Sequence, residues 1–308
     1  MEFPNSFNTK SERIELWYEQ IREFLTNDRL LDLMGQFDFS PNIKLPVSQL
    51  LAEVKDFVEA NWSFRKKAGG GERATIADNN QKVLECAELI IETAESLGLI
   101  KTEEKKVKKY DYIFPLGGFR AATYDRISWA GRYYKKGKIV ALTGHREIQD
   151  IEIPFLDYVP EEEREHCNEY TTACYGIESV FGCDTYKENV EFGPGSSGML
   201  RAYQDDLYVL CAPTPEGKPR ANTLDTLEYW RKLFCPASRT SILCITSPIY
   251  TSYQMAALAD FVIENDFLLN FEACGECKKR NGVITNYLQE IKGTIDAFTQ
   301  FAEKYPKE

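Results

Sequence analysis

Four short apolar runs, each ending in turn residues and followed by a helical stretch, constrain this chain more than any other feature. They are Tyr112–Leu116, Lys138–Thr143, Leu207–Cys211 and Ser241–Thr246, with a fifth at Phe267–Phe271. A strand with one face in water alternates apolar and polar residues, whereas a strand buried on both faces reads as an unbroken apolar run. Between the runs lie helical patterns: one after Gly118 to about Lys136, then Asn168–Phe181, Thr223–Phe234 and Ser252–Glu264, with a terminal helix over Val283–Ala302. Buried strands alternating with helices predict an α/β fold. The expectation is a Rossmann-like, mostly parallel sheet of about five strands with helices on both faces.

The first hundred residues have a different period. Ile14, Trp17, Ile21, Phe24, Leu25 and Leu31 follow helical spacing across Ser11–Met34. Pro41 and Pro46 interrupt it, and Leu50, Val54, Phe57 and Val58 mark a second helix opened by Pro46. A third is expected from Thr75 to Leu97, closed by Gly98, before a charged linker at Lys101–Lys109. The division that follows is a helical N-terminal region over 1–105 and an α/β domain with its C-terminal helix over 106–308.

Composition removes several classes. A chain of 308 residues buries a sizeable core without staples. Its net charge of −11 gives no footprint for nucleic acid or an anionic membrane. No run reaches the roughly 18 apolar residues that span a bilayer. The opening Met-Glu-Phe-Pro-Asn-Ser lacks the basic-then-apolar order of a secretory leader. Nine cysteines, odd in number and irregular in spacing, fit reduced thiols better than a disulfide framework. A cytoplasmic protein is therefore expected. With two histidines, a His-based metal site is poorly supplied, and no metal site is expected.

In open α/β sheets, ligands bind at the carboxyl ends of strands. The first such end is Leu116-Gly117-Gly118. Two glycines let a ligand approach the backbone, a helix start favours an anion, and Arg120 and Arg126 suit phosphate or carboxylate. The plainer reading is a turn with two surface arginines. The second end offers Thr143, Gly144, His145 and Arg146, with His145 able to transfer protons near neutral pH. After the third strand come Asn222, Thr223 and Asp225, residue types that also cap a helix. After the fourth come Ser247 and Tyr250, expected to bind ligand through their hydroxyls.

Two further patterns resist their obvious reading. Gly193-Pro-Gly195-Ser-Ser-Gly198 has the dinucleotide spacing, but the fingerprint needs a strand before it and a long helix after it. A loop beside the pocket is expected there. Cys274-Gly-Glu-Cys277 is a lone C-x-x-C, short of two zinc ligands; a thiol redox role is the alternative it offers.

The order of these motifs resembles the YdcF/SanA/ElyC-like family, also known as domain of unknown function 218. The residues are Leu116-Gly-Gly118, Arg126-Ile127-x-x-Ala130, Leu142-Thr-Gly144, Asn168-Glu-Tyr170, Asn222-Thr-Leu-Asp-Thr226 and Ile245-Thr-Ser-Pro-Ile-Tyr250. The likeness runs from about Asp111 to Phe267 and leaves out the helical first hundred residues. It implies a Rossmann-like fold with a polar pocket and a nucleotide or S-adenosylmethionine type of ligand. Tyr250 stands where the family has a histidine, and Tyr253 where it has an arginine.

The expectation for function is a protein that binds a small anionic, phosphorylated or nucleotide-like ligand. An enzyme of transferase or hydrolase type comes first. Gly117, Gly118, Arg120 and Arg126 would hold the anion, Glu169 would be the base, and His145 or Arg146 would stabilise charge. Asn222, Thr223 and Ser247 would orient the ligand. The alternatives are a non-catalytic binding or regulatory protein and a thiol redox protein using Cys274 and Cys277.

Overall fold

The computed structural model describes residues 9–64, 80–101, 107–119, 122–193, 196–275 and 284–307. Among the described residues, five helices come first: α1 (Lys10–Leu25), α2 (Asp28–Gln36), α3 (Val47–Trp62), α4 (Gln81–Glu85) and α5 (Ala87–Ser96). Then follow β1 (Tyr112–Pro115), α6 (Ala122–Ala130), β2 (Lys138–Gly144), α7 (Glu169–Phe181), β3 (Tyr186–Glu191), β4 (Gly198–Tyr203) and β5 (Leu207–Ala212). The remainder is α8 (Thr223–Phe234), β6 (Ser241–Thr246), α9 (Thr251–Glu264), β7 (Leu268–Ala273) and α10 (Ile284–Lys304). Among the described residues, no helix is long and apolar enough to cross a membrane.

The chain forms two compact units, one of 1–103, 247–265 and 275–308, the other of 104–246 and 266–274. Among the described residues, the regular elements of the first are all helices. The helix expected across Ser11–Met34 is two helices. Thr26 ends α1, and the Asn27 side chain accepts from the Leu30 amide at 3.2 Å, starting a new helix. A side-chain cap of this kind satisfies an amide that a continuous helix would bond differently. Trp17 of α1 is fully buried and meets Phe298 and Phe301 of α10 edge-on, at 6.1 and 6.2 Å between ring centroids. Such a ring buries roughly 150–250 Å² of surface.

The second unit holds one seven-stranded sheet in the order β3-β4-β5-β2-β1-β6-β7. From β5 to β7 all neighbours are parallel, and these five are the strands anticipated from the apolar runs. Their order is that of a Rossmann sheet, with the switch in winding direction between β1 and β6. β3 and β4 add an antiparallel hairpin on the β5 side. They were not foreseen. The Gly193–Gly198 segment joins these two strands, and of that segment Pro194 and Gly195 lie outside the described residues.

Both faces of the sheet are covered within this unit. Ile127 and Ala130 of α6 and Ala173 and Ile177 of α7 pack with Ile113, Ile139, Ala141, Val209 and Leu243. On the other face, Trp230 of α8 sits edge-on to Tyr112 and Phe114 at 4.9 and 5.0 Å. Burying each such side chain contributes about 1.5–3 kcal/mol. One carboxylate shares the core: Glu272 of β7 accepts from Trp129 Nε1 at 2.6 Å, Arg132 Nη1 at 3.3 Å and the Tyr133 hydroxyl. Those donors make its burial tolerable.

Candidate functional site

The carboxyl ends of β1 and β2 carry a largely buried acidic group. Leu116 leaves β1 bridged to Leu142 of β2, and the Gly117 amide donates to the Leu142 carbonyl at 2.8 Å. The Gly118 amide donates to the Thr123 hydroxyl at 3.0 Å. Both glycine amides are thus used inside the fold. What the glycines supply is room. A Cβ on Gly117 would lie 2.7 Å from Glu169 Oε1, and one on Gly118 would lie 2.8 Å from Arg126 Nη1. A side chain at either position would force one of these groups to shift.

Glu169 is the first residue of α7. Asn168 caps that helix by accepting from the Thr171 amide at 3.0 Å, and an anti-parallel bridge from Asn168 to Glu147 ties the helix start to the loop after β2. The Glu169 amide donates to the Arg146 carbonyl at 2.9 Å. Its carboxylate therefore lies over Gly117 at the positive end of the helix. Glu169 Oε2 accepts from the Gly144 amide at 3.2 Å, and Oε1 is 3.8 Å from Arg146 Nε. The side chain is 12% exposed. Burial pushes its pKa up, against the pull of Arg146, the Gly144 amide, Arg220 and Arg126. Desolvation of the charged form outweighs those favourable charges.

Each arginine is built in differently. Arg126, fully buried on α6, donates through Nη1 to the Leu116 carbonyl at 2.7 Å and the Gly117 carbonyl at 2.5 Å. It braces the end of β1 and brings its charge under the site. Arg146 binds Glu152 with both prongs, at 2.6 and 3.1 Å, and donates to the Gly118 carbonyl at 3.1 Å. Glu152 is completely buried. Arg220 precedes Ala221, whose carbonyl lies 3.5 Å from where a Gly144 Cβ would be.

Other residues singled out from the sequence divide into groups. His145 reaches the Ser197 carbonyl through Nε2, which sets the loop before β4 beside His145. Thr143 is buried and donates to the Leu210 carbonyl at 3.0 Å, a contact inside the sheet. Asn222 and Asp225 form a reciprocal cap on α8 at 3.0 and 2.8 Å, and Lys218 holds Asp225 at 2.8 Å. Thr223 is the first residue of that helix, half-buried. Ser247 and Tyr250 belong to the first unit, where the Tyr250 amide donates to the Ser247 carbonyl at 3.0 Å around a single 3-10 turn. The site described here is built from the second unit alone. Arg120 and Cys277 lie outside the described residues. Cys274 is buried just after β7; its burial raises the thiol pKa, and the Arg126 charge works against that rise.

Sequence reasoning did not pick out Glu152, and it placed Arg220 on the rim after the third strand without giving it a role. Glu152 carried one readable signal: it stands three residues after Gln149, the spacing of a reciprocal helix cap, within the apolar stretch Ile151–Phe155. Among the described residues, no three His, Cys, Asp or Glu side chains converge as a metal cluster would need.

The model of a family described as the Rv3785 N-terminal domain matches residues 8–98, the helical stretch before the sheet. No curated protein and no solved structure matches the chain.

Proposed function

We propose that the sheet-bearing unit binds a small anion, phosphorylated or nucleotide-like, beside Glu169 and acts on it as a transferase or hydrolase. The observation that carries this reading is one carboxylate, protonated more readily than usual, set among Arg146, Arg220 and Arg126 at strand ends. A carboxyl group with a raised pKa exchanges protons closer to neutral pH. Glu169 accepts the proton of an attacking hydroxyl or water while guanidinium charge holds the anion.

Recognition in this reading rests on side chains. Because the Gly117 and Gly118 amides donate within the fold, the backbone grip of a standard dinucleotide site is not offered there. A nucleotide or S-adenosylmethionine would be held through its charged groups and its hydroxyls. Kinship with the YdcF/SanA/ElyC-like family belongs to the same proposal, supported by the order of motifs from Leu116 to Tyr250. So does a cytoplasmic setting, supported by nine irregularly spaced cysteines.

Thermal shift against inorganic phosphate, nucleotides and S-adenosylmethionine tests binding, since a ligand of the native state raises the midpoint. Arg220→Ala should weaken the selected ligand about tenfold, the worth of one charge-assisted contact. Glu169→Gln should keep binding and lose turnover. If none of those compounds moves the midpoint, the anion site is wrong. If a ligand binds but is never turned over, the protein is a binding or regulatory one.

A further inference from the structure

The edge of the sheet formed by β3 has the composition of a surface that pairs with itself. Its six residues, Tyr186–Glu191, are all exposed, and its only strand neighbour among the described residues is β4. Tyr186 and Val190 are each 44% exposed and Phe192, next in the chain, 87%. Edge strands are ordinarily kept short, bulged, covered or charged on the outward side, because their free N–H and C=O groups invite another strand. β3 pairs with β4 in continuous register from Tyr186↔Tyr203 to Glu191↔Gly198, with no bulge, and its charges, Lys187, Glu188 and Glu191, are of both signs, so they exclude only those partners that do not match them.

Symmetry limits which strand could dock. Two copies that extend one sheet across a two-fold axis perpendicular to it run antiparallel, and directly opposed residues share a face. Opposed residues must then have numbers of the same parity. An axis through Glu188 sets two glutamates against each other. An axis through Val190 sets Glu188 against Phe192 and Asn189 against Glu191. An axis through Asn189 sets Lys187 against Glu191 twice and Tyr186 against Phe192 twice, with Glu188 opposite Val190. Opposite charges and aromatic pairs facing across strands are each stabilising, and like charges are not. Within the chain Glu191 already pairs with Lys232 of α8, so a second lysine from the other copy would find a carboxylate held in place.

We propose that the protein forms a homodimer through β3, with the two-fold axis at Asn189, giving one sheet of fourteen strands from two copies of the seven-stranded one. The dimer is independent of what the Glu169 site does. An interface of one strand pair and its flanking side chains is small, so association is expected at roughly micromolar concentrations.

Sedimentation velocity of the full chain up to about 100 µM, well above such a constant, should show a concentration-dependent dimer. Lys187→Glu and Glu191→Lys, each alone, should shift the midpoint at least tenfold toward monomer. Mixed in equal amounts they restore both opposed pairs and should form a heterodimer. A second arm fixes the register. In a Cys235→Ser background, which removes the one exposed thiol among the described residues, Asn189→Cys should cross-link to its own copy under mild oxidation, because directly opposed strand residues approach to disulfide distance. Lys187→Cys faces Glu191 and should not. A wild-type chain that stays monomeric overturns the proposal. So do a mixture no more associated than its parts and an Asn189→Cys chain that cross-links no faster than Lys187→Cys.

Discussion

Gly117 and Glu169 are best understood as a pair. The carboxylate passes so close over the glycine that a methyl group there would sit 2.7 Å from Oε1. Gly117→Ala should therefore destabilise by about 1–3 kcal/mol, the usual penalty of overpacking. Most of that loss should vanish in a Glu169→Ala background, a coupling that a denaturant double-mutant cycle reads directly. The raised pKa of Glu169 has a signed consequence. Its folded value lies above the unfolded one, near the ordinary 4.3 of a glutamate. Its contribution to stability is present below the unfolded value and is lost as pH rises through the folded value. Glu169→Gln should thus gain on wild type as pH rises across that window and should flatten this part of the curve. Midpoints of thermal unfolding from pH 4 to 8 check it; a wild-type curve parallel to that of Glu169→Gln would remove the raised pKa from the account.

Among the elements, what was readable in the sequence followed burial. The five parallel strands announced themselves because both faces are covered, and each reads as an unbroken apolar run. β3 reads Tyr-Lys-Glu-Asn-Val-Glu and is exposed throughout, so no period of two or run of apolar residues marks it. Its partner β4 was hidden in the same way by half-buried residues and by a glycine-rich connection that looked like loop. The glycines after β1 were expected to let a ligand approach the backbone. What approaches them is the protein's own Glu169 and Arg126, brought there by α7 and α6, and sequence spacing does not disclose such tertiary neighbours. Glu152 was invisible for the same reason: its worth lies in the two-pronged bond to Arg146. Removing one partner of a buried ion pair strands the other charge, so Glu152→Ala should cost about 3–5 kcal/mol. The loop after β2 carries Arg146, and this variant should also weaken whatever anion the site holds. Urea denaturation with ligand titration measures both; a variant as stable as wild type would mean that Arg146 is not confined by Glu152.

For the molecule as a whole, chain order and spatial grouping part company. The helices α9 and α10 come after strands of the sheet, yet they group with the helices of the first hundred residues. The chain leaves and re-enters the sheet-bearing unit at residues 246–247, 265–266 and 274–275. The reason is visible in α10, whose buried residues include Leu288, Ile291, Ile295, Phe298 and Phe301. Phe298 meets Trp17 at 6.1 Å and Phe24 at 5.3 Å, both edge-on, and both from α1. A fragment beginning at residue 104 keeps all seven strands of the sheet but deprives α10 of those partners. A 21-residue helix left with an uncovered apolar face has little reason to stay helical or soluble. The fragment 104–308 should therefore bind a hydrophobic dye, aggregate at micromolar concentration and show less helix by circular dichroism than its share of the full chain. Adding residues 1–103 as a separate chain should restore the helical signal, since the missing surface is supplied whole. A fragment 104–308 that is monomeric, dye-free and fully helical would mean that the helices following the sheet do not need the first hundred residues.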